Sequence, residues 1–257
     1  MITTDELRTL VKKYKTNETV IVREYLQVWL LSLLYQVRGS EQVFFKGGTA
    51  LHLLFGASRF SEDLDFTVGS KKGEFGDLLN KVIDLCGREE KVSFKPKKAV
   101  AGQKWLLTAE PEVVRYKVFV NLDFSFREKV WQPTKSIIDT EFPVVFRSYV
   151  YHLSKEEIFA EKVRALLSRK QGRDLYDLWY LLSIGVGVED DLIRDKLAFY
   201  KINNYEDKLF NRLKEFKRKD FINDLRSFVA INEREKLGDL FDYAVDYLNK
   251  KLVLSGC

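Results

Sequence analysis

Lys46-Gly47-Gly48-Thr49-Ala50-Leu51, followed after a short gap by Arg59-Phe60-Ser61-Glu62-Asp63-Leu64-Asp65-Phe66, decides how the rest of this chain is read. Before it, Val43-Phe44-Phe45 is short, apolar and aromatic, as a buried strand is. After the glycines, Ala50–Phe55 reads as a short helix closed by Gly56. A strand running through Gly-Gly into a helix leaves backbone N–H groups open at the helix start. Without a Cβ there, an anion can approach them, and the helix dipole favours its charge. Thr49 and Ser61 add hydroxyls.

Asp63–Val68 alternates polar and apolar, so Asp63 and Asp65 share one face while Leu64 and Phe66 point into a core. Carboxylates two residues apart on a strand lie about 6.5–7 Å apart along it. They repel unless a cation sits between them, which suits Mg²⁺. By itself, Asp-x-Asp also reads as two exposed aspartates on an edge strand. A third carboxylate comes from the stretch Val113–Phe126, read as a long strand. There Val118, Val120, Leu122, Phe124 and Phe126 form one face, and Asn121, Asp123 and Ser125 the other. If the two strands pair, the three carboxylates draw together, a set that suits two divalent ions.

Composition restricts the chemistry in the same direction. The chain has 257 residues, 46% of them hydrophobic, which is globular composition. It is long enough to bury roughly three quarters of its unfolded surface. With two Cys (Cys86 and Cys257) and two His (His52 and His152), a zinc site, a disulfide framework and a Ser-His-Asp triad are poorly supported. His52, His152 and Cys86 read as packing residues. Residues 1–20 lack the apolar core of a secretory signal, and Val28–Tyr35 is shorter than the ~20 residues of a membrane span. A cytoplasmic protein without membrane association is therefore expected. The net charge of +5 gives only mild attraction to polyanions. Locally, Lys95, Lys97, Lys98 and Lys104 form a cluster that is either a solvated face or a guide for an RNA backbone.

Further along the chain, residues 5–36 read as helix, Glu74–Leu85 as another, and Val92–Phe94, Trp105–Thr108 and Phe142–His152 as extended. After Ser154 the character changes. Ser154 and Glu157 have the spacing of a capping box that opens a helix to about Lys170, and Asp174–Ser183 opens another. From there to Asn249 nearly everything is helical. The expected fold is α+β: a mixed sheet with flanking helices over residues 1–153, then an all-helical domain over 154–257.

The two stretches around Gly47 and Asp65 resemble the signature of the AbiEii/AbiGii nucleotidyltransferase toxin family of type IV toxin–antitoxin systems. In the helical half, Glu161-Lys162-Val163-Arg164-Ala165-Leu166 and Arg173-Asp174-Leu175-Tyr176-Asp177-Leu178-Trp179 resemble that family's Lys and Arg-Asp-x-x-Asp motifs. The resemblance spans roughly residues 40–185. It implies a fold of the DNA polymerase β or minimal nucleotidyltransferase type. It also implies Mg²⁺-dependent transfer of NMP from an NTP to an acceptor hydroxyl, with a tRNA 3′ end as acceptor and a cognate antitoxin as partner. On this reading Lys46, Gly47, Gly48, Thr49, Arg59 and Ser61 bind the nucleotide. Asp63, Asp65 and Asp123 hold metal and serve catalysis, Lys162 pairs with triphosphate oxygens, and Asp174 or Asp177 orients Lys162 or the acceptor. A small-molecule or protein hydroxyl as acceptor stays open, as does a silent nucleotide- or antitoxin-binding module. An ordinary intrahelical ion pair between Arg173 and Asp177 is the plainer alternative for the last motif.

Overall fold

The computed structural model describes residues 2–254, and Cys257 lies outside them. The chain divides into two compact units, Met1–Leu153 and Ser154–Cys257. The first begins with α1 (Thr4–Tyr14) and α2 (Glu18–Leu34). The sequence reads as one helix through this region, but the structure breaks it. Lys15 ends α1 in the left-handed conformation at φ +49°, and the Asn17 side chain caps α2 by accepting from the Val20 N–H. Local capping chemistry overrides a continuous apolar pattern here.

The strands are β1 (Val43–Lys46), β2 (Asp63–Val68), β3 (Val92–Lys97), β4 (Gln103–Ala109), β5 (Val118–Ser125), β6 (Pro133–Ser136) and β7 (Val150–Leu153). Helix α3 (Gly47–Phe55) joins β1 to β2, and α4 (Lys72–Glu89) follows β2. One mixed sheet in the order β3-β4-β5-β2-β1-β7-β6 results. β2 is central: it pairs antiparallel with β1 and parallel with β5. The extended readings were too long at two places, since β5 starts at Val118 and β7 at Val150. Strand β6, with the polar sequence Pro-Thr-Lys-Ser, was missed because an edge strand carries no apolar alternation.

Each central strand turns one face to the core and one to the site. Phe45, Phe66 and Phe124, from β1, β2 and β5, are buried side by side. The Phe66 and Phe124 rings stack at 5.0 Å, and Phe75 of α4 closes on Phe124 at 4.7 Å. That aromatic layer holds three strands in register, so their alternate residues rise together on the other face.

The second unit is helical: α5 (Lys155–Ser168), α6 (Gly172–Ser183), α7 (Asp190–Ala198), α8 (Tyr205–Lys214), α9 (Arg218–Leu225) and α10 (Leu237–Leu254). Ser154 caps α5 by accepting from the Glu157 N–H, as its spacing suggests. The Glu157 carboxylate, however, meets Lys196 of α7 at 2.7 Å, an ion pair buried between helices. Among the described residues no helix is long and apolar enough to cross a membrane.

Candidate functional site

Strand register builds the site in the first unit. Lys46 of β1 stands opposite Asp65 of β2, Asp65 opposite Asp123 of β5, and Asp123 opposite Lys104 of β4. One step along, Asp63 stands opposite Asn121. One charged row therefore crosses the face opposite the aromatic layer, with Asp63 and Asn121 next to it. Strand alternation puts Asp63, Asp65 and Asp123 on one face, on strands that pair in parallel.

Each carboxylate has a defined neighbour. Asn121 Nδ2 donates to Asp63 Oδ1 at 2.9 Å, and Lys97 Nζ of β3 donates to Asn121 Oδ1 at 3.0 Å. Lys104 Nζ lies 2.7 Å from Asp123 Oδ2. The hydrogen bond to Asp123 raises the Lys104 pKa above its ordinary value, and the charges of Asp123, Asp65 and Asp63 add to it against partial burial. The carboxylates thus attract a cation, and Lys104 lies beside Asp123. Among the described residues no group of three His, Cys, Asp or Glu side chains stands close enough to hold one ion. The hard oxygen donors of Asp63 and Asp65, half-exposed on one face, nevertheless fit the chemistry of Mg²⁺ binding.

Both glycines of the loop are explained by the site itself. Gly47 sits at φ +79°, and a Cβ there would stand 2.3 Å from Asp65 Oδ2. At Gly48 it would stand 2.3 Å from Arg59 Nη2. The missing side chains at Gly47 and Gly48 leave room for Asp65 and Arg59 to pack there. Arg59 is only 2% exposed, with Nη1 donating to the Phe60 carbonyl, so it supports the loop from inside. Thr49, equally buried, donates its hydroxyl to the Asp63 carbonyl and ties α3 to β2. Ser61 remains half-buried, its carbonyl accepting from Gln27 of α2 at 3.2 Å. Lys46 Nζ reaches Glu128 Oε2 at 3.6 Å; Glu128, from the segment after β5, has no motif and was not anticipated. Lys97, Lys104 and Asn121 were legible only as a lysine cluster and a strand position, because their convergence depends on β4 lying beside β5.

In the second unit Lys162 of α5 lies between two aspartates of α6, 2.6 Å from Asp177 Oδ2 and 3.1 Å from Asp174 Oδ1. Arg169 adds two contacts to Asp174, at 2.8 and 3.2 Å. Burial alone would raise the Asp174 pKa, but Lys162 and Arg169 outweigh it and bring it down to about 2. Asp177 is fully buried. Arg173 instead lays its guanidinium over the Phe228 ring, 4.5 Å from the centroid. Helix α6 therefore buries its aspartates as well as Leu175, Leu178 and Leu182, and the lysine explains why. A neighbouring cluster of Glu157, Glu161 and Lys196, not expected from the sequence, has the same buried character.

The two histidines are packing residues with polar anchors. His52 Nδ1 meets the Ala57 carbonyl at 2.6 Å and Nε2 meets Glu24 at 3.1 Å. His152 is buried beside Ser136, and burial lowers its pKa. Burial also pushes the Cys86 thiol up to about 12, so it behaves as a small hydrophobe.

Comparison with known proteins gives this geometry a family. Residues 29–245 match the family described as nucleotidyl transferase AbiEii toxin, type IV TA system. No curated protein sequence matches the chain. Among solved structures, MenT4, a nucleotidyltransferase toxin from Mycobacterium tuberculosis H37Rv, superposes with a TM-score of 0.68 at 19% identity. The match covers 96% of this chain and 90% of that one. JHP933 from Helicobacter pylori superposes at 0.55 and 20% identity, covering 94% and 96%. At such identities these structures support the fold. Over most of its length the sequence carries the family signature on that fold, and the chain belongs to the AbiEii family of nucleotidyltransferase toxins of type IV toxin–antitoxin systems.

Proposed function

We propose that this enzyme uses Mg²⁺ to transfer a nucleoside monophosphate from an NTP to an acceptor hydroxyl, with a tRNA 3′ end as acceptor. It acts in the cytoplasm and is neutralised there by a cognate antitoxin protein. The observation that carries this reading is the register that sets Asp65 opposite Asp123 while Gly47 gives way to Asp65. Acceptor activation and phosphate binding then share one row of side chains.

Asp63 and Asp65, with Asp123 beside them, are the residues to hold one or two divalent ions. Such an ion neutralises phosphate charge as it develops. Lys46, the backbone N–H groups of Gly47 and Gly48, and Ser61 bind the triphosphate, while Thr49 and Arg59 act through the loop they support. The acceptor oxygen attacks the α-phosphorus, the bond to the β-phosphate oxygen breaks, and pyrophosphate leaves. Asp123 takes the proton of the acceptor hydroxyl, its charge held by Lys104. In the helical unit Lys162 is a ligand for phosphate oxygens, oriented by Asp177 at its closer contact and by Asp174.

The test is direct. Purified protein given labelled NTPs, Mg²⁺ and total tRNA labels the tRNA, and Asp65→Asn does not. Absence of label with the wild-type protein across all four NTPs retires the reading.

A further inference from the structure

The charged row has two different ends. At the Lys46 end it runs into the glycine loop and the first turn of α3. At the other end it continues across β4 to the outer strand β3, where Lys97 stands opposite Lys104. Both lysines belong to a hairpin at the sheet edge, yet both turn inward: Lys104 to Asp123, and Lys97 through Asn121 to Asp63. Edge-strand lysines commonly serve to discourage strand pairing. Both lysines are exposed enough for that role, but it does not account for their contacts toward Asp123 and Asn121. Compact ammonium groups on flexible stems can move from such acceptors to a phosphate that arrives beside them.

A second observation lies on the same face. Phe119 is two residues before Asn121 and four before Asp123, so alternation places it with them, and it is 44% exposed. Its backbone is fixed, since the Phe119 carbonyl accepts from Arg23 Nε at 3.2 Å. An exposed ring on this polar face adds nothing to the aromatic core, but it offers a flat surface on which a base can stack. Along β5, Phe119 and Asp123 are about 13 Å apart, so a ligand touching both is extended. Of the acidic residues near this end, Glu110 pairs with Lys117 at 2.8 Å and Glu62 with Arg23 at 2.7 Å.

We infer that Lys97, Lys104 and Phe119 form the docking face for a single-stranded RNA, whose phosphates meet the lysines and whose terminal hydroxyl reaches Asp123. This rests on the nucleotidyl-transfer reading above. It assigns the β3–β4 end of the row to the acceptor and the α3 end to the nucleotide. Paired lysines at one end of β5 and an exposed ring about 13 Å along it suit an extended polyanion with bases better than a protein surface, which would call for an apolar centre.

The experiment measures anisotropy of a fluorescein-labelled single-stranded RNA with the full chain, over a range of NaCl, without nucleotide or metal. The Lys97→Gln/Lys104→Gln protein shows a log K against log salt slope shallower by about 1.4, two phosphates at ~0.7 each. Phe119→Ala weakens binding about tenfold and leaves the slope in place. The charge-conserving Lys97→Arg/Lys104→Arg pair keeps the slope, which separates lost charge from lost folding. Unchanged affinity and slope in the Gln pair overturns the inference, as does a wild-type protein that binds no RNA. Label transferred to a protein and not to RNA overturns it too, while leaving nucleotidyl transfer standing. RNA binding that depends on these residues, with no label on any acceptor, retires the transfer reading and keeps the strand-binding face.

Discussion

Gly47 and Asp65 share one space: a Cβ on Gly47 would lie 2.3 Å from Asp65 Oδ2. Gly47→Ala therefore pushes the carboxylate out of the row and strains a backbone at φ +79°. Transfer activity falls at least about 100-fold, and stability drops by ~1–3 kcal/mol. Gly76 of α4 has nothing near the position of its Cβ. Gly76→Ala raises stability by up to about 1 kcal/mol and leaves activity unchanged. Urea unfolding and a transfer assay on both variants check the contrast.

Asp63→Asn and Asp65→Asn each remove a metal-facing charge, and transfer falls at least about 100-fold, as expected when several kcal/mol of charge stabilisation are lost. In the metal-free protein the same changes relieve repulsion between carboxylates but also lose attraction to Lys104, so the thermal midpoint shifts little. A midpoint that falls steeply in both variants would show the aspartates to be structural.

Lys162 neutralises Asp177 and shares Asp174 with Arg169. Lys162→Met leaves buried charge without its lysine and destabilises the protein by ~3–5 kcal/mol. Arg169, whose side chain is more than half exposed, matters less: Arg169→Ala costs under about 1 kcal/mol. Denaturant midpoints of the two variants order them.

Acid weakens the helical unit through Asp174. Its pKa is depressed from 3.8 to about 2 in the folded protein, so its contribution is complete above pH ~4 and disappears as pH falls through about 2. At neutral pH that contribution is about 2 kcal/mol. Asp174→Asn loses it, and the stability curve between pH 4 and 2 flattens relative to wild type.

His52 produces the opposite slope. Burial would lower its pKa, but Glu24 and the Ala57 carbonyl raise it overall, with Arg59 opposing. Both ring nitrogens face acceptors, a geometry that the imidazolium satisfies. Its stabilisation is full below the ordinary histidine value near 6.5 and is lost as pH rises through the higher folded value. Chemical denaturation from pH 6 to 9 shows a decline in wild type that His52→Gln lacks.

Much of this protein follows from local pattern. The glycine loop, the Asp63–Asp65 pair and the face of Asp123 are readable because strand alternation and turn chemistry are short-range, and the Ser154 cap is equally local; the Lys162 motif is legible only through the family resemblance. Helix ends were less readable: Lys15 and Asn17 divide an apolar run whose periodicity continues across them. Which strands lie side by side is written nowhere in the chain locally. Only the packing of Phe45, Phe66 and Phe124 in one layer sets Asp65 between Lys46 and Asp123 and brings Lys104 and Lys97 to the same row. Packing likewise decides that Gly47 makes room for a carboxylate, and that Arg59 and Thr49 work from beneath the loop. Residue types and spacing thus select the chemistry. Long-range burial of the aromatic layer selects the neighbours, because a register is fixed by which side chains share a core.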